Sequence, residues 1–98
     1  ELQHVRFHAL VNKGAWIYNP SQVKVLVSDD GENFREVAQK DIPISTWEDR
    51  DGIFAYEVDF EHVKAKYVEV IISGYDLPED HSGFGNPAWI FVDEIEID

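Results

Sequence analysis

Cysteine and methionine are both absent from the 98 residues of this chain. The lack of cysteine excludes disulfide bonds and thiol-based catalysis, although it does not identify a cellular compartment. No apolar run approaches the ~18 residues that a membrane-spanning helix requires, and no secretory signal pattern is found. Because the chain starts at Glu1 and enters a strand pattern almost at once, we expect it to be a piece of a longer protein.

Basic residues are also scarce. Lysine and arginine number 8 against 20 aspartates and glutamates, which gives a formal net charge of −12. A polyphosphate partner would be repelled by this charge, so nucleic acids and anionic membrane surfaces are poor candidates for a partner. Neutral glycans and cations remain compatible with it.

Long amphipathic helices are missing as well, and strand patterns take their place. Apolar and polar residues alternate with a period of two, which is typical of half-buried β-strands. The clearest predicted strands cover residues 3–11, 22–28, 54–60 and 67–73. With no helix available for a βαβ crossover, residues 1–98 are predicted to form one all-β domain, a β-sandwich.

Aromatic residues make up 13% of the chain, and core packing explains most of them. Trp47 differs, because it lies in a polar segment with Arg50, where a buried ring is less expected. Two interpretations stay open for Trp47: stacking on a sugar, or folding back over a sheet edge. Trp16 and Tyr18 would lie on the same face of a short apolar segment. For this pair, packing in the core is favoured over a role as a platform for a sugar.

Metal and catalytic sites have little support from the residues alone. Asp29-Asp30-Gly31 supplies too few oxygen ligands for a calcium loop and instead predicts a hairpin turn. His4 and His8 are predicted to be solvent-facing strand residues, since no third metal ligand is evident nearby. Asp93 and Glu94 are neighbours on a strand and point to opposite faces, which argues against a catalytic pair.

The end of the chain is predicted to be a closing strand delivered by a long loop. Residues 74–87 form this loop, and residues 90–97 keep a strand-like alternation while turning acidic. Trp89 is predicted to lie in the core. A polar connection at residues 61–66 is predicted to contain up to one helical turn.

Three segments in this order resemble the discoidin-like family, also called the coagulation factor V/VIII type C domain. The first is a hairpin from Trp16 to Phe34 that contains a valine-rich strand and Ser28-Asp29-Asp30-Gly31. The second runs from Val63 to Val70 and includes Tyr67-Val68-Glu69-Val70. The third, from Asp80 to Ile95, is similar to the closing segment at the C-terminus of β-hexosaminidases and chitobiases of Bacteroides-type glycan degraders.

The resemblance implies a jelly-roll sandwich of the galactose-binding type, here lacking the first strands of the family domain. It implies a non-catalytic accessory module of a periplasmic, outer-surface or secreted bacterial glycoside hydrolase. The module would bind a galactose-type or N-acetylhexosamine-type glycan or, alternatively, pack against the catalytic domain without binding sugar. Many family members carry a structural calcium, and Glu94 matches a glutamate that contributes to that site. The expected carbohydrate-binding residues are Trp47, Arg50, His81, Asn86 and Trp16.

Overall fold

Alternating β-branched and polar residues build two antiparallel sheets. The structure, a computed structural model, describes residues 2–98. In chain order the strands are β1 (Leu2–Val11), β2 (Gln22–Ser28), β3 (Arg35–Asp41), β4 (Gly52–Val63), β5 (Tyr67–Ser73), β6 (Phe91–Val92) and β7 (Glu96–Ile97). A short 3-10 helix spans Lys13–Ala15.

Each sheet is organised around one central strand. In the first sheet β1 pairs with β4 on one side and with both β6 and β7 on the other. In the second sheet β2 lies between β3 and β5. The predicted all-β sandwich is therefore confirmed, whereas the jelly-roll topology and the absence of the family's first strands stay predictions. Within residues 2–98 no helix is long and apolar enough to cross a membrane.

The core lies between the inward faces of the two central strands. Its buried members are Val5, Phe7, Ala9, Val23, Val25, Ile42 and Val58. Burying a valine or phenylalanine side chain contributes about 1.5–3 kcal/mol, so this layer supplies most of the driving force for folding. The alternation in residues 3–11 and 22–28 predicted these inward faces correctly.

The hairpin predicted at Asp29-Asp30-Gly31 is confirmed. The Asp30 carboxylate accepts hydrogen bonds from the backbone N–H groups of Asn33 and Glu32 and from the Ser28 hydroxyl. These donors hold the pKa of Asp30 well below its usual range. Gly31 adopts a φ of +80°, a conformation that favours glycine.

Several predicted boundaries are wrong. Residues 61–63 belong to β4 because Val63 pairs with Leu2, so the helical turn predicted at residues 61–66 does not form. The closing segment is not one strand but the two short strands β6 and β7, separated at residues 93–95. Trp89 precedes β6 and is 62% exposed, which overturns its prediction as a core residue.

On the outer face of the first sheet, His4, Arg6 and His8 of β1 lie beside acidic side chains. His4 contacts Asp59, with 2.5 Å between His4 Nδ1 and Asp59 Oδ1, and its Nε2 lies 3.5 Å from Glu57 Oε1. His8 donates its backbone N–H to Asp93 Oδ1 at 2.6 Å, and its Nδ1 lies 2.8 Å from Asp93 Oδ2. The His8 backbone N–H and then its imidazole lower the pKa of Asp93. Asp93 thus ties the segment between β6 and β7 to β1.

We predict that His4 titrates above its ordinary pKa of 6.5. The hydrogen bond to Asp59, followed by the charges of Asp59, Glu57 and Asp98, raises the pKa of His4. Because the folded-state pKa is the higher one, the stability contribution is fully present below 6.5 and is lost as the pH rises through the raised value. An NMR titration of the imidazole checks this.

The control for this titration is a matched pair of charge-neutralising variants on β4. Asp59→Asn should move the His4 pKa back towards 6.5, whereas Glu61→Gln, which removes a carboxylate from the same strand, should change it little. Equal effects of the two variants would mean that general negative charge, not the His4–Asp59 contact, raises the pKa.

Candidate functional site

Three loops converge at one end of the sandwich. They cover residues 12–21, 42–51 and 74–90. The end of β1 lies beside the start of β4, and the start of β2 lies between the ends of β3 and β5. This antiparallel arrangement brings all three loops together. Loops held by a rigid scaffold commonly carry binding residues.

Lys13 joins two of these loops from a buried position. The residue is only 2% exposed. Its Nζ donates to Asp51 Oδ1 at 2.6 Å and to the Asp49 backbone carbonyl at 2.8 Å. A buried ammonium group requires such partners. The Lys13 side chain, and then its backbone N–H, lower the pKa of Asp51.

His81 links the third loop to the same point. Its imidazole is buried, and the Gly83 backbone N–H donates to Nδ1 at 2.9 Å. The ring proton is therefore on Nε2, which donates to the Lys13 backbone carbonyl at 2.8 Å. Both nitrogens are thus paired with protein groups, and the ring supports the site from beneath.

Three aromatic rings surround this imidazole. Trp47 stacks on His81 with ring centroids 5.5 Å apart and an interplanar angle of 18°. Trp16 and Tyr18 meet His81 edge-on, each with a centroid distance of 6.0 Å. We call these four residues the aromatic cluster. Each aromatic pair of this kind is worth about 0.5–1.5 kcal/mol beyond its buried area.

Trp47 is held by the cluster but remains 49% exposed. One indole face covers His81, and Nε1 donates to the Asp80 backbone carbonyl at 3.3 Å. A turn fixes the backbone on either side, since the Asp49 carboxylate accepts from the Thr46 N–H at 2.8 Å. The ring therefore folds back onto the His81 loop and leaves its open part facing solvent.

Gly83 allows the loops to approach closely. A Cβ atom at this position would lie 2.6 Å from Leu77 Cδ1 and 2.8 Å from Trp16 Cζ2. Such distances are too short for a real side chain, so any substitution would push the Trp16 indole away from the loop. Glycine at position 83 is therefore a packing requirement of the aromatic cluster.

A cleft between Trp16 and Trp89 adjoins the aromatic cluster. This Trp16–Trp89 cleft has a volume of about 360 Å³ and is lined by Trp16, Asn86, Pro87, Ala88 and Trp89. Asn86 donates from Nδ2 to the Gly83 carbonyl at 3.0 Å, which fixes its amide. Trp16 is the one non-glycine residue of positive φ in residues 2–98, at 68°. A bulky residue in this conformation is uncommon and is a pointer to function.

Arg50 and Glu94 lie apart from these rings. The Arg50 guanidinium carbon lies 5.5 Å from the centroid of the Phe54 ring, in a separate cleft that Tyr56 also lines. Glu94 is exposed in the segment between β6 and β7. Within residues 2–98, no group of three or more His, Cys, Asp or Glu side chains is arranged to hold a metal ion.

The expected site residues are thus only partly brought together. The structure unites Trp16, Trp47 and His81, and it places Asn86 in the adjoining cleft. Sequence reasoning missed the buried Lys13 and the exposed Trp89. Nothing in the local pattern distinguishes Lys13 from a surface lysine, but the glycines and proline before Trp89 are a signal that the strand starts later.

No family model and no curated protein matches the chain.

We predict that His81→Ala loosens all three loops while leaving the sandwich folded. The change removes two buried hydrogen bonds and the ring on which Trp47 stacks, so the free energy of unfolding should fall by about 2–4 kcal/mol. Urea denaturation followed by circular dichroism measures this loss, and hydrogen exchange should quicken in residues 12–21, 42–51 and 74–90.

Phe84→Ala is the matched control, because Phe84 is 60% exposed in the same loop. It should change the free energy of unfolding by no more than about 0.5 kcal/mol. If His81→Ala behaves like Phe84→Ala, His81 does not join the loops.

Proposed function

We propose that this domain is a non-catalytic carbohydrate-binding module that holds a neutral sugar against Trp47. The observation that carries the proposal is the half-exposed Trp47 indole stacked on the buried, doubly hydrogen-bonded His81. A flat ring fixed in this way loses little freedom when a ligand stacks on it, because the cost of ordering has been met during folding. The apolar face of a pyranose ring is a suitable partner for such a surface.

The electrostatics of the three loops favour an uncharged ligand. Their acidic residues are Glu48, Asp49, Asp51, Asp76, Glu79 and Asp80. Their basic residues are Lys13, which is buried and paired with Asp51, and Arg50, which lies over Phe54. Burial, followed by the charges of Asp80 and Asp51, raises the pKa of Tyr18. An anionic glycan would be repelled there.

The biological setting follows from the resemblance to discoidin-like domains. We place the module in a periplasmic, outer-surface or secreted glycoside hydrolase of the β-hexosaminidase or chitobiase type, with a galactose-type or N-acetylhexosamine-type ligand. The domain itself would be non-catalytic. The adjacent carboxylates Asp93 and Glu94 lie outside the three loops, where Asp93 is bound by His8 and Glu94 is exposed. The structural calcium implied by the resemblance stays an expectation, because within residues 2–98 Glu94 belongs to no group of three or more His, Cys, Asp or Glu side chains arranged to hold a metal ion.

We predict that Trp47→Ala abolishes sugar binding or weakens it at least about tenfold, equivalent to ~1.4 kcal/mol, because the stacking surface is lost. Isothermal titration calorimetry with galactose and N-acetylglucosamine at millimolar concentrations measures the affinity. Tyr67→Ala is the control. Tyr67 is also 49% exposed, but it begins β5 at the end of the second sheet that lies away from the three loops.

The proposal fails if the unsubstituted domain binds neither sugar nor their oligomers at these concentrations. It also fails if Trp47→Ala and Tyr67→Ala bind with the same affinity as the unsubstituted domain.

A second candidate function is packing against a neighbouring domain of the same polypeptide. A cross-strand row on the outer face of the first sheet favours it, because Ile53 and Phe91 both lie opposite Leu10. Ile53 is 71% exposed and Phe91 is 50% exposed, and a cleft of about 250 Å³ runs between them. Exposed apolar side chains that adjoin one another are typical of a protein contact.

We predict for this second function that Ile53→Ser with Phe91→Ser lowers the melting temperature of the longer polypeptide but not that of the isolated domain. In the isolated domain these exposed changes should cost about 0.5 kcal/mol or less. Differential scanning calorimetry of both forms tests this, with Tyr67→Ser as the control. An unchanged melting temperature in the longer polypeptide would reject the packing function.

A further inference from the structure

The Trp16–Trp89 cleft is a second surface that could hold a ligand. Trp89 is 62% exposed and Trp16 is 36% exposed, so both indoles offer open area to the same concave space. The rest of the lining is Pro87 and Ala88, with the amide of Asn86 as its polar group. Binding sites commonly combine an apolar lining with a few well-placed polar groups.

Backbone hydrogen bonds join the segments that carry Trp16 and Trp89. The Trp89 N–H donates to the Trp16 carbonyl at 2.8 Å, and the Tyr18 N–H donates to the Trp89 carbonyl at 3.1 Å. Ile17 and Trp89 also form a parallel bridge. Trp16 is held in its left-handed conformation by these contacts and by its own N–H, which donates to the Lys13 carbonyl at 3.1 Å. The cleft is therefore preformed rather than assembled by a ligand.

The cleft is continuous with the proposed sugar surface. Trp16 lines the cleft and also packs edge-on against His81, whose ring stacks on Trp47. The ring centroids of Trp16 and Trp47 lie 6.0 Å and 5.5 Å from the centroid of His81. The distance between the two indoles therefore cannot exceed the sum of these two distances. Linked units of one short oligosaccharide can span such a separation.

Asn86 gives the cleft a means of recognising hydroxyl or acetamido groups. Its Nδ2 donates to Gly83, and its Oδ1 has no hydrogen bond within residues 2–98. An amide held in one orientation with a free oxygen accepts a hydrogen bond from a ligand O–H or N–H. Because the surrounding loops are acidic, a neutral oligosaccharide fits this surface better than an anionic one.

We propose that the Trp16–Trp89 cleft is a second sugar subsite, so that the domain binds a neutral oligosaccharide of at least two units more tightly than a single sugar. One unit stacks on Trp47, and the next lies between Trp16 and Trp89 with Asn86 as its hydrogen-bonding partner. This inference rests on the proposed function, since it places the first unit on Trp47. It goes beyond that function by assigning Trp89 and by setting the length of the ligand.

Isothermal titration calorimetry with N-acetylglucosamine and its β-1,4-linked dimer and trimer tests the subsite. The association constant should rise about tenfold or more from the single sugar to the dimer, because a second stacked ring is engaged. Trp89→Ala should remove this rise, so that the dimer binds no more tightly than the single sugar. Trp47→Ala should weaken binding of all three ligands.

Two variants serve as controls for the Trp89 substitution. Phe84→Ala removes another exposed ring of the same loop and should keep the gain with ligand length. Trp89→Phe should restore part of that gain, since it returns a smaller stacking surface. Circular dichroism and the thermal midpoint should be the same for the unsubstituted domain and Trp89→Ala, because the Trp89 backbone bonds do not depend on its side chain.

The outcomes separate the subsite from the proposed function. Equal affinities for the single sugar and the dimer, or an unchanged gain in Trp89→Ala, would overturn the subsite while leaving sugar binding on Trp47 intact. An absence of binding to all three ligands, with galactose and its oligomers also inactive, would overturn both. Binding of a proline-rich peptide that depends on Trp89, with no gain from sugar length, would assign the cleft to a peptide and reject the subsite.

Discussion

The buried imidazole of His81 is the contact on which the arrangement of the three loops depends. Its Nε2 reaches the carbonyl of Lys13, its Nδ1 receives the N–H of Gly83, and its face carries Trp47. Each loop thus contributes one group to the same small ring. A neutral imidazole suits this position because one nitrogen donates while the other accepts. Neither an aliphatic nor a purely cationic side chain could make both hydrogen bonds.

Lys13 completes this junction by a different kind of interaction. Its ammonium group is removed from water and is compensated by Asp51 and by the carbonyl of Asp49. In a chain with a formal charge of −12, carboxylates are plentiful and a buried cation readily finds one. The outer face of β1 shows the same pairing of charges, because His4, Arg6 and His8 lie beside acidic residues of β4 and of the segment between β6 and β7. The few basic groups therefore occupy positions where they offset local repulsion.

The aromatic residues include buried rings that belong to the core and rings that remain exposed on the loops. Phe7 is buried in the first sheet, and Tyr18 is a buried member of the aromatic cluster. Trp47 and Trp89 instead keep about half or more of their surface exposed, although the Trp47 indole N–H and the Trp89 backbone are hydrogen-bonded. Rings this exposed contribute less to stability than buried ones, because exposing them forgoes the free energy of burial. The proposed stacking of a sugar ligand would account for their exposure.

The sequence by itself determined the fold class and the inward faces of the main strands. Alternation places Val5 and Phe7 in β1, and Val23 and Val25 in β2, on the buried sides because strand side chains alternate with a fixed period of two. It also predicted the Asp30 hairpin, whose side-chain hydrogen bonds are local. It did not determine the extent of β4 or the division of the closing segment, since both depend on pairing with β1.

Only the tertiary structure decided which loop residues meet. His81, Trp47 and Trp16 are far apart in the chain, and their contacts arise because antiparallel pairing brings three loop ends together. The pattern around Lys13 gave no sign of burial, because burial there depends on Asp49 and Asp51 from another loop. Trp89 looked like a core residue in an apolar run, but β6 begins only at Phe91 and leaves its indole outside. Local periodicity governs strands, whereas contacts between loops are set by long-range geometry that no local pattern encodes.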